Sequence, residues 1–173
     1  MNLHLPPLAF DPARAARTLA DLAERGFTPE TAQLPLLEGV FGNSPYLARL
    51  ALREPEALAA ILRDGPEAVV ADALQLALSV ASLADEAAAM AALRRAKRCA
   101  ALAIALADIS GDWPLQMVTD SLTRFADAAV QGALRFLLAQ AAARARRKRN
   151  AGRRGAGGRH RAGGAGDGQV RRP

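Results

Sequence analysis

The sequence predicts an all-α protein, a bundle-like set of about six or seven helices followed by a disordered basic tail. Three observations carry this. About half of the residues are hydrophobic, yet only 4% are aromatic and alanine dominates. Such a composition suits closely packed helices, because strands draw on β-branched and aromatic side chains. Proline recurs where successive helices should open, and no strand alternation or hairpin turn lies between. The charge is also divided. Residues 144–173 hold 11 of the 23 Lys and Arg and one of the 17 Asp and Glu, a local charge of +10. Residues 1–143, with 12 basic and 16 acidic groups, carry −4. Two kinds of polypeptide therefore meet near Ala143: a helical region over 1–143 and a Gly/Arg-rich tail over 144–173.

The elements follow in order. In "DPARAARTLADLAERG", residues 11–26, Asp11 is an N-cap, Pro12 suits the first turn, and Gly26 follows the last turn. Ala15, Leu19, Leu22 and Ala23 share a face. "TPETAQLPLLEGVFG", residues 28–42, opens similarly at Thr28–Pro29. Pro35 interrupts it, which predicts a kinked or two-piece helix ending near Gly42. Ser44–Pro45, Glu54–Pro55 and Asp64–Gly65–Pro66 open three more helices. Tyr46, Leu47, Leu50, Leu58, Ile61 and Leu62 mark their buried stripes. The stretch from Asp85 has no Pro or Gly before Gly111, which predicts one long helix. "GDWP", residues 111–114, suits the joint of an antiparallel helical hairpin. The next long helix would turn Leu115, Val118, Leu122, Phe125, Ala129, Leu134 and Leu138 to the core. From Arg144 the periodicity stops. The tail has one large aliphatic residue, Val170, too little apolar surface to offset ordering costs of about 1–2 kcal/mol per residue. Disorder is expected there beyond a turn of helix reaching Arg146–Arg149.

Chemistry-bearing residues are few, and no catalytic, cofactor-binding or metal-binding residue is assigned. His4 and His160 lie near the two ends. No serine has a plausible histidine partner, and no His/Cys/Asp/Glu cluster has metal-ligand spacing. "GGAGDG", residues 163–168, is a weak phosphate-loop match, since such a loop needs a strand before it and a helix after it. Asp108 reads as a catalytic carboxylate or, preferably, as a helix-end group facing solvent or paired with Arg94, Arg95 or Arg98. Arg94, Arg95, Lys97 and Arg98 read as a docking patch or, preferably, as a solvated helix face. Trp113 should plug the hairpin end. Cys99, the one cysteine, reads as a small buried hydrophobe, and without disulfides or a secretory leader the expected compartment is cytoplasmic. No apolar run reaches the roughly 18 residues of a membrane span. The basic tail would bind nucleic-acid phosphates without sequence preference, because no aromatic is interleaved to stack on bases.

"FGNSPYLARLALREPE", residues 41–56, and "LRRAKRCAALAIALADISGDWPLQMVTDSLTRFADAAVQGALRFLL", residues 93–138, resemble the N-terminal lead-in of the bifunctional glutamine synthetase adenylyltransferase/adenylyl-removing family. The resemblance covers roughly residues 25–143. It implies an enzyme several times longer, with two nucleotidyltransferase-type domains. One removes AMP from a tyrosine of glutamine synthetase by phosphorolysis, and the other attaches AMP from ATP. Both use Mg²⁺, and a PII-type signalling protein sets the balance. The implied catalysis needs an Asp-x-Asp pair to hold the metal that neutralises phosphate charge. This chain has no Asp-x-Asp, so no catalytic residue carries over and the chain is expected to be an inactive N-terminal fragment. ATP, ADP, phosphate and Mg²⁺ belong to the full-length family. Glutamine synthetase and the PII-type protein are likewise partners that only the resemblance implies. The alternative is a small helical binding module with a basic nucleic-acid-binding tail.

The family's helical region should run into a motif close to "GTGLVVLGMGKFGA". Here the basic tail stands in its place. A shifted codon takes the last two bases of one residue and the first base of the next. Read so, His160–Arg161 allows only Thr or Ile, Asp167–Gly168 only Met or Thr, and Gln169–Val170 only Lys or Arg. The Gly–Gly and Ala–Gly junctions permit Val and Leu. From Arg159 to Pro173 the shifted frame can spell the whole motif, with Thr, Met and Lys each one of two residues permitted at its place. The expectation is a change of reading frame around residues 139–150.

Overall fold

Proline sets the rhythm of the fold. Pro12, Pro45, Pro55 and Pro66 each open a helix, and Pro35 is the second residue of another. At the first turn the missing N–H costs nothing and the fixed φ is already helical. The computed structural model describes residues 6–157, with side chains described for residues 6–150. Among these the helices are α1 (Pro12–Glu24), α2 (Leu34–Asn43), α3 (Pro45–Arg53), α4 (Pro55–Asp64), α5 (Pro66–Ser79), α6 (Glu86–Ile109) and α7 (Leu115–Gly157). Short 3-10 turns at Thr31–Gln33 and Val80–Ser82 precede α2 and follow α5. No strand occurs among the described residues, so the chain is all-α as predicted. His4, His160 and the glycine run 163–168 lie outside the described residues.

Side-chain caps reinforce the punctuation. Asp11 Oδ1 accepts from Arg14 N at 2.8 Å, Ser44 Oγ from Leu47 N at 3.2 Å, and Asp85 Oδ1 from Ala88 N at 2.8 Å. Each satisfies a backbone donor that the first turn leaves without a partner. The predicted two-piece element is present as the Thr31–Gln33 turn followed by α2. It begins three residues after Thr28 and ends at Asn43.

The chain divides into two units, Met1–Phe136 and Leu137–Pro173. In the first, the core seam lies between α5 and α6. Val70, Ala73, Ala77 and Val80 from one side meet the helix that buries Ala89, Ala96, Ala100, Ala103 and Ala107. These positions recur at steps of three, four or seven residues, which keeps them on one helix face, and the alanines among them let the two helices approach closely. Leu22, Leu37, Val40, Phe41 and Leu58 fill the rest of the core, where α1 to α4 come together. Two glycines mark contacts too close for a side chain. A Cβ on Gly39 would lie 2.0 Å from the carbonyl oxygen of Pro7, and one on Gly132 would lie 2.0 Å from that of Ala77.

Three expectations change. Tyr46 is 48% exposed, so the buried stripe of α3 is Leu47, Ala48, Leu50 and Ala51. In α1, Thr18 is buried with Ala15 and Leu22, whereas Ala23 is exposed. Thr18 fits because its hydroxyl donates to Arg14 O at 2.9 Å. The largest correction is α7. Its buried face is Val118, Ser121, Ala128, Gly132 and Phe136, with Phe125 half-buried. Leu115 (75% exposed), Leu122 (51%), Leu134 (54%) and Leu138 (62%) do not reach the core. Helix α7 carries apolar residues on two adjoining faces, and the close contact of Gly132 with Ala77 selects one of them. Phe136 clusters with Val80 and with Ala89 near the start of α6, which is the antiparallel return expected of the hairpin.

The second unit begins with Leu137 and contains the rest of α7. Helix extends to Gly157, past the Arg146–Arg149 turn at which the sequence pattern would end it. Once a long helix is nucleated, adding alanine, arginine and lysine costs little, which carries it through Arg149 without burial, whereas Gly152, Gly155 and Gly157 beyond it each cost about 1 kcal/mol relative to alanine.

Candidate functional site

The chemically richest side chains of the first unit meet where α3 passes into α4 beside α6. Glu54 is the residue between α3 and α4 and is buried despite its charge. Arg98 Nε donates to its Oε1 at 2.6 Å, and Arg95 Nε lies 3.5 Å from Oε2. Arg95 also reaches exposed Glu56 at 3.5 Å. Positions 95 and 98 lie three apart on α6 and so project from one side of the helix. Cys99 Sγ lies 3.9 Å from Glu54 Oε2. Burial, then the Glu54 charge, push the Cys99 thiol up from its ordinary range, against a smaller downward pull from the two arginines. This is the wrong direction for a thiolate nucleophile. The cluster ties α6 to the α3–α4 joint.

A groove of about 360 Å³ lies on the first unit. Its floor includes Leu36, Ile61, Leu62 and Leu106, and its rim carries Glu30, Gln33, Ser110 and Asp112. The Ser110 hydroxyl is 2.9 Å from Asp112 Oδ2. Nearby, Trp113 is buried as the expected plug, and its Nε1 donates to Glu67 Oε1 at 2.6 Å. Ser110 Oγ also lies 3.2 Å from Ala107 O and 3.4 Å from Asp112 N, so Ser110 and Asp112 knit the turn that ends α6, and no His or Lys is among the described residues that line the groove.

The residues singled out in the sequence separate. Asp108 faces solvent and forms no ion pair with Arg94, Arg95 or Arg98. Arg94 and Lys97 are exposed, as the solvated-face reading has it, but Arg95 and Arg98 belong to Glu54. Cys99 is half-buried rather than fully enclosed. Sequence reasoning missed Glu54 as a buried partner. Its signal was a carboxylate at a helix joint, in a chain with two arginines three apart on a later helix. Among the described residues no group of three His, Cys, Asp or Glu could hold a metal ion, and no helix is long and apolar enough to cross a membrane.

The sequence profile of the family described as glutamate-ammonia ligase adenylyltransferase matches residues 34–158. The chain belongs to this family. The adenylyltransferase-family chain is 44% identical over 140 residues to the bifunctional glutamine synthetase adenylyltransferase/adenylyl-removing enzyme of Rhodopseudomonas palustris strain HaA2, covering 80% of this chain and 14% of that enzyme. The enzyme of the same name from strain BisB5 is 48% identical over 111 residues, covering 64% and 11%. That of Bradyrhizobium sp. strain ORS 278 is 45% identical over 112 residues, also covering 64% and 11%. The adenylyltransferase-family chain thus spans 14% or less of the length of these three curated relatives. No solved structure matches it.

Proposed function

We propose that this chain is the N-terminal helical region of an enzyme that regulates glutamine synthetase by adding and removing AMP, and that alone it does neither. The observation that carries the reading is the family match over residues 34–158, which takes in α2 to α7. Inactivity is supported by the sequence, which has no Asp-x-Asp pair. Nucleotidyl transfer needs closely spaced carboxylates to hold Mg²⁺ against the phosphate charge. In the whole enzyme, ATP, ADP, phosphate, Mg²⁺, glutamine synthetase and a PII-type protein are engaged by other parts. The helices supply a rigid lead-in, with Glu54, Arg95 and Arg98 as its internal brace.

A graft tests this role. Residues 34–143 replace the matched segment of the Rhodopseudomonas palustris HaA2 enzyme, and both AMP reactions are measured. The expected result is activity within about tenfold of the parent, the loss of about 1.4 kcal/mol that imperfect repacking at a new junction would cost. A folded chimaera with neither activity overturns the reading.

A change of reading frame around residues 139–150, which would leave residues 144–173 out of frame, belongs to the same proposal. It is supported by the shifted-frame motif beginning at Arg159, immediately after the family match ends at residue 158. That end lies beyond the 139–150 window read from the sequence. Resequencing the locus tests it: an unshifted gene without a downstream catalytic frame removes the idea.

A further inference from the structure

We infer that the C-terminal part of α7, Arg144 to Arg149, is a sequence-independent binding surface for duplex DNA. This surface belongs to the polypeptide as it stands and is independent of any AMP chemistry. Five of these six residues are cationic: Arg144, Arg146, Arg147, Lys148 and Arg149. All of residues 141–150 are exposed and helical. Among the described residues no acidic group pairs with any of the five. At about 100° per residue, Arg144, Arg147 and Lys148 fall within an arc of about 100°, and Arg146 and Arg149 lie on the opposite side. The cations therefore face two ways.

Two-sided charge discriminates between polyanions. A helix about 10–12 Å across fits the DNA major groove, which is about 12 Å wide, with a phosphate rail on either side. Both faces then meet phosphates. On an anionic membrane only one face would. The deep, narrow major groove of duplex RNA does not admit side chains in this way. Five residue steps rise about 7.5 Å, over which the duplex presents about four charges, so the count of cations and phosphates agrees.

The test measures binding of the full chain to a labelled duplex of about 20 base pairs by fluorescence anisotropy, across about 50–200 mM salt. The comparison protein carries R144Q, R146Q, R147Q, K148Q and R149Q, with circular dichroism to show that helix content is kept. Losing four to five phosphate contacts should flatten the slope of log K against log salt by about four and weaken low-salt binding at least a hundredfold. The single strand should bind at least tenfold more weakly than the duplex, and anionic phosphatidylserine vesicles more weakly still. A slope within one of the parent's overturns the inference by assigning binding to cations beyond residue 150. Equal affinity for single strand or vesicles overturns it by making the segment a generic polycation.

Discussion

At Glu54 a buried carboxylate meets two guanidinium groups and a thiol. Such a charge is tolerable inside a protein only while it is paired, because an isolated one would shift its protonation instead. The geometry makes Cys99 a reporter of the pair. The raised thiol pKa should make Cys99 alkylate more slowly than a free cysteine at about pH 8.5. Substituting Glu54→Gln removes an upward push and leaves Arg95 and Arg98 pulling down, so alkylation should accelerate in protein that retains its helicity. Mass spectrometry of iodoacetamide-treated protein reads both. The linkage sign is fixed as well. A thiol whose folded pKa lies above its unfolded value stabilises the fold below the unfolded pKa. That contribution is lost as pH rises through the folded pKa, and Cys99→Ala should flatten this alkaline decline in melting temperature. Gly132 gives a steric prediction at the same scale. Its missing Cβ would lie 2.0 Å from Ala77 O and 3.0 Å from Val80 Cγ2. Gly132→Ala should therefore cost about 1–3 kcal/mol, several degrees of melting temperature by thermal denaturation, despite alanine's better helix propensity.

Among the elements, the helix starts were legible and the facing of the last helix was not. Asp11–Pro12, Ser44–Pro45, Glu54–Pro55 and Gly65–Pro66 each mark a real start, because proline's ring and a cap act locally and need no tertiary context. The side of α7 that meets the core is a tertiary choice. Leu122 and Leu134 are larger and more apolar than Ala128 and Gly132, so a hydrophobicity argument selects them. The structure selects small residues, because the helix lies against the Ala77 backbone. Thr18 and Glu54 escaped for a related reason, since polar residues become core residues only once their partners, the Arg14 carbonyl and the two arginines, are in place. Paired substitutions test the corrected register. Phe136→Ala should cost about 3–5 kcal/mol, whereas Leu134→Gln should stay within about 0.5 kcal/mol, both by chemical denaturation. The opposite ranking would restore the register read from the sequence.

For the whole molecule, Leu122, Val130 and Leu134 leave the first unit with an exposed apolar strip along α7. Strips of this kind promote association, so sedimentation velocity should show concentration-dependent self-association that the combined L122Q, V130Q and L134Q variant weakens. The family relation was legible from two quoted stretches, but the candidate site was legible only as an absence of chemistry, and the described side chains supply a brace and a groove. A chain without paired metal-holding carboxylates should not transfer AMP, however well it folds. The decisive measurement incubates the purified full chain with Mg²⁺ and glutamine synthetase in two arms, adenylylated enzyme with phosphate and unmodified enzyme with ATP. The account predicts no ADP released in the first arm and no AMP incorporated in the second. Turnover in either arm, dependent on this chain, would contradict it.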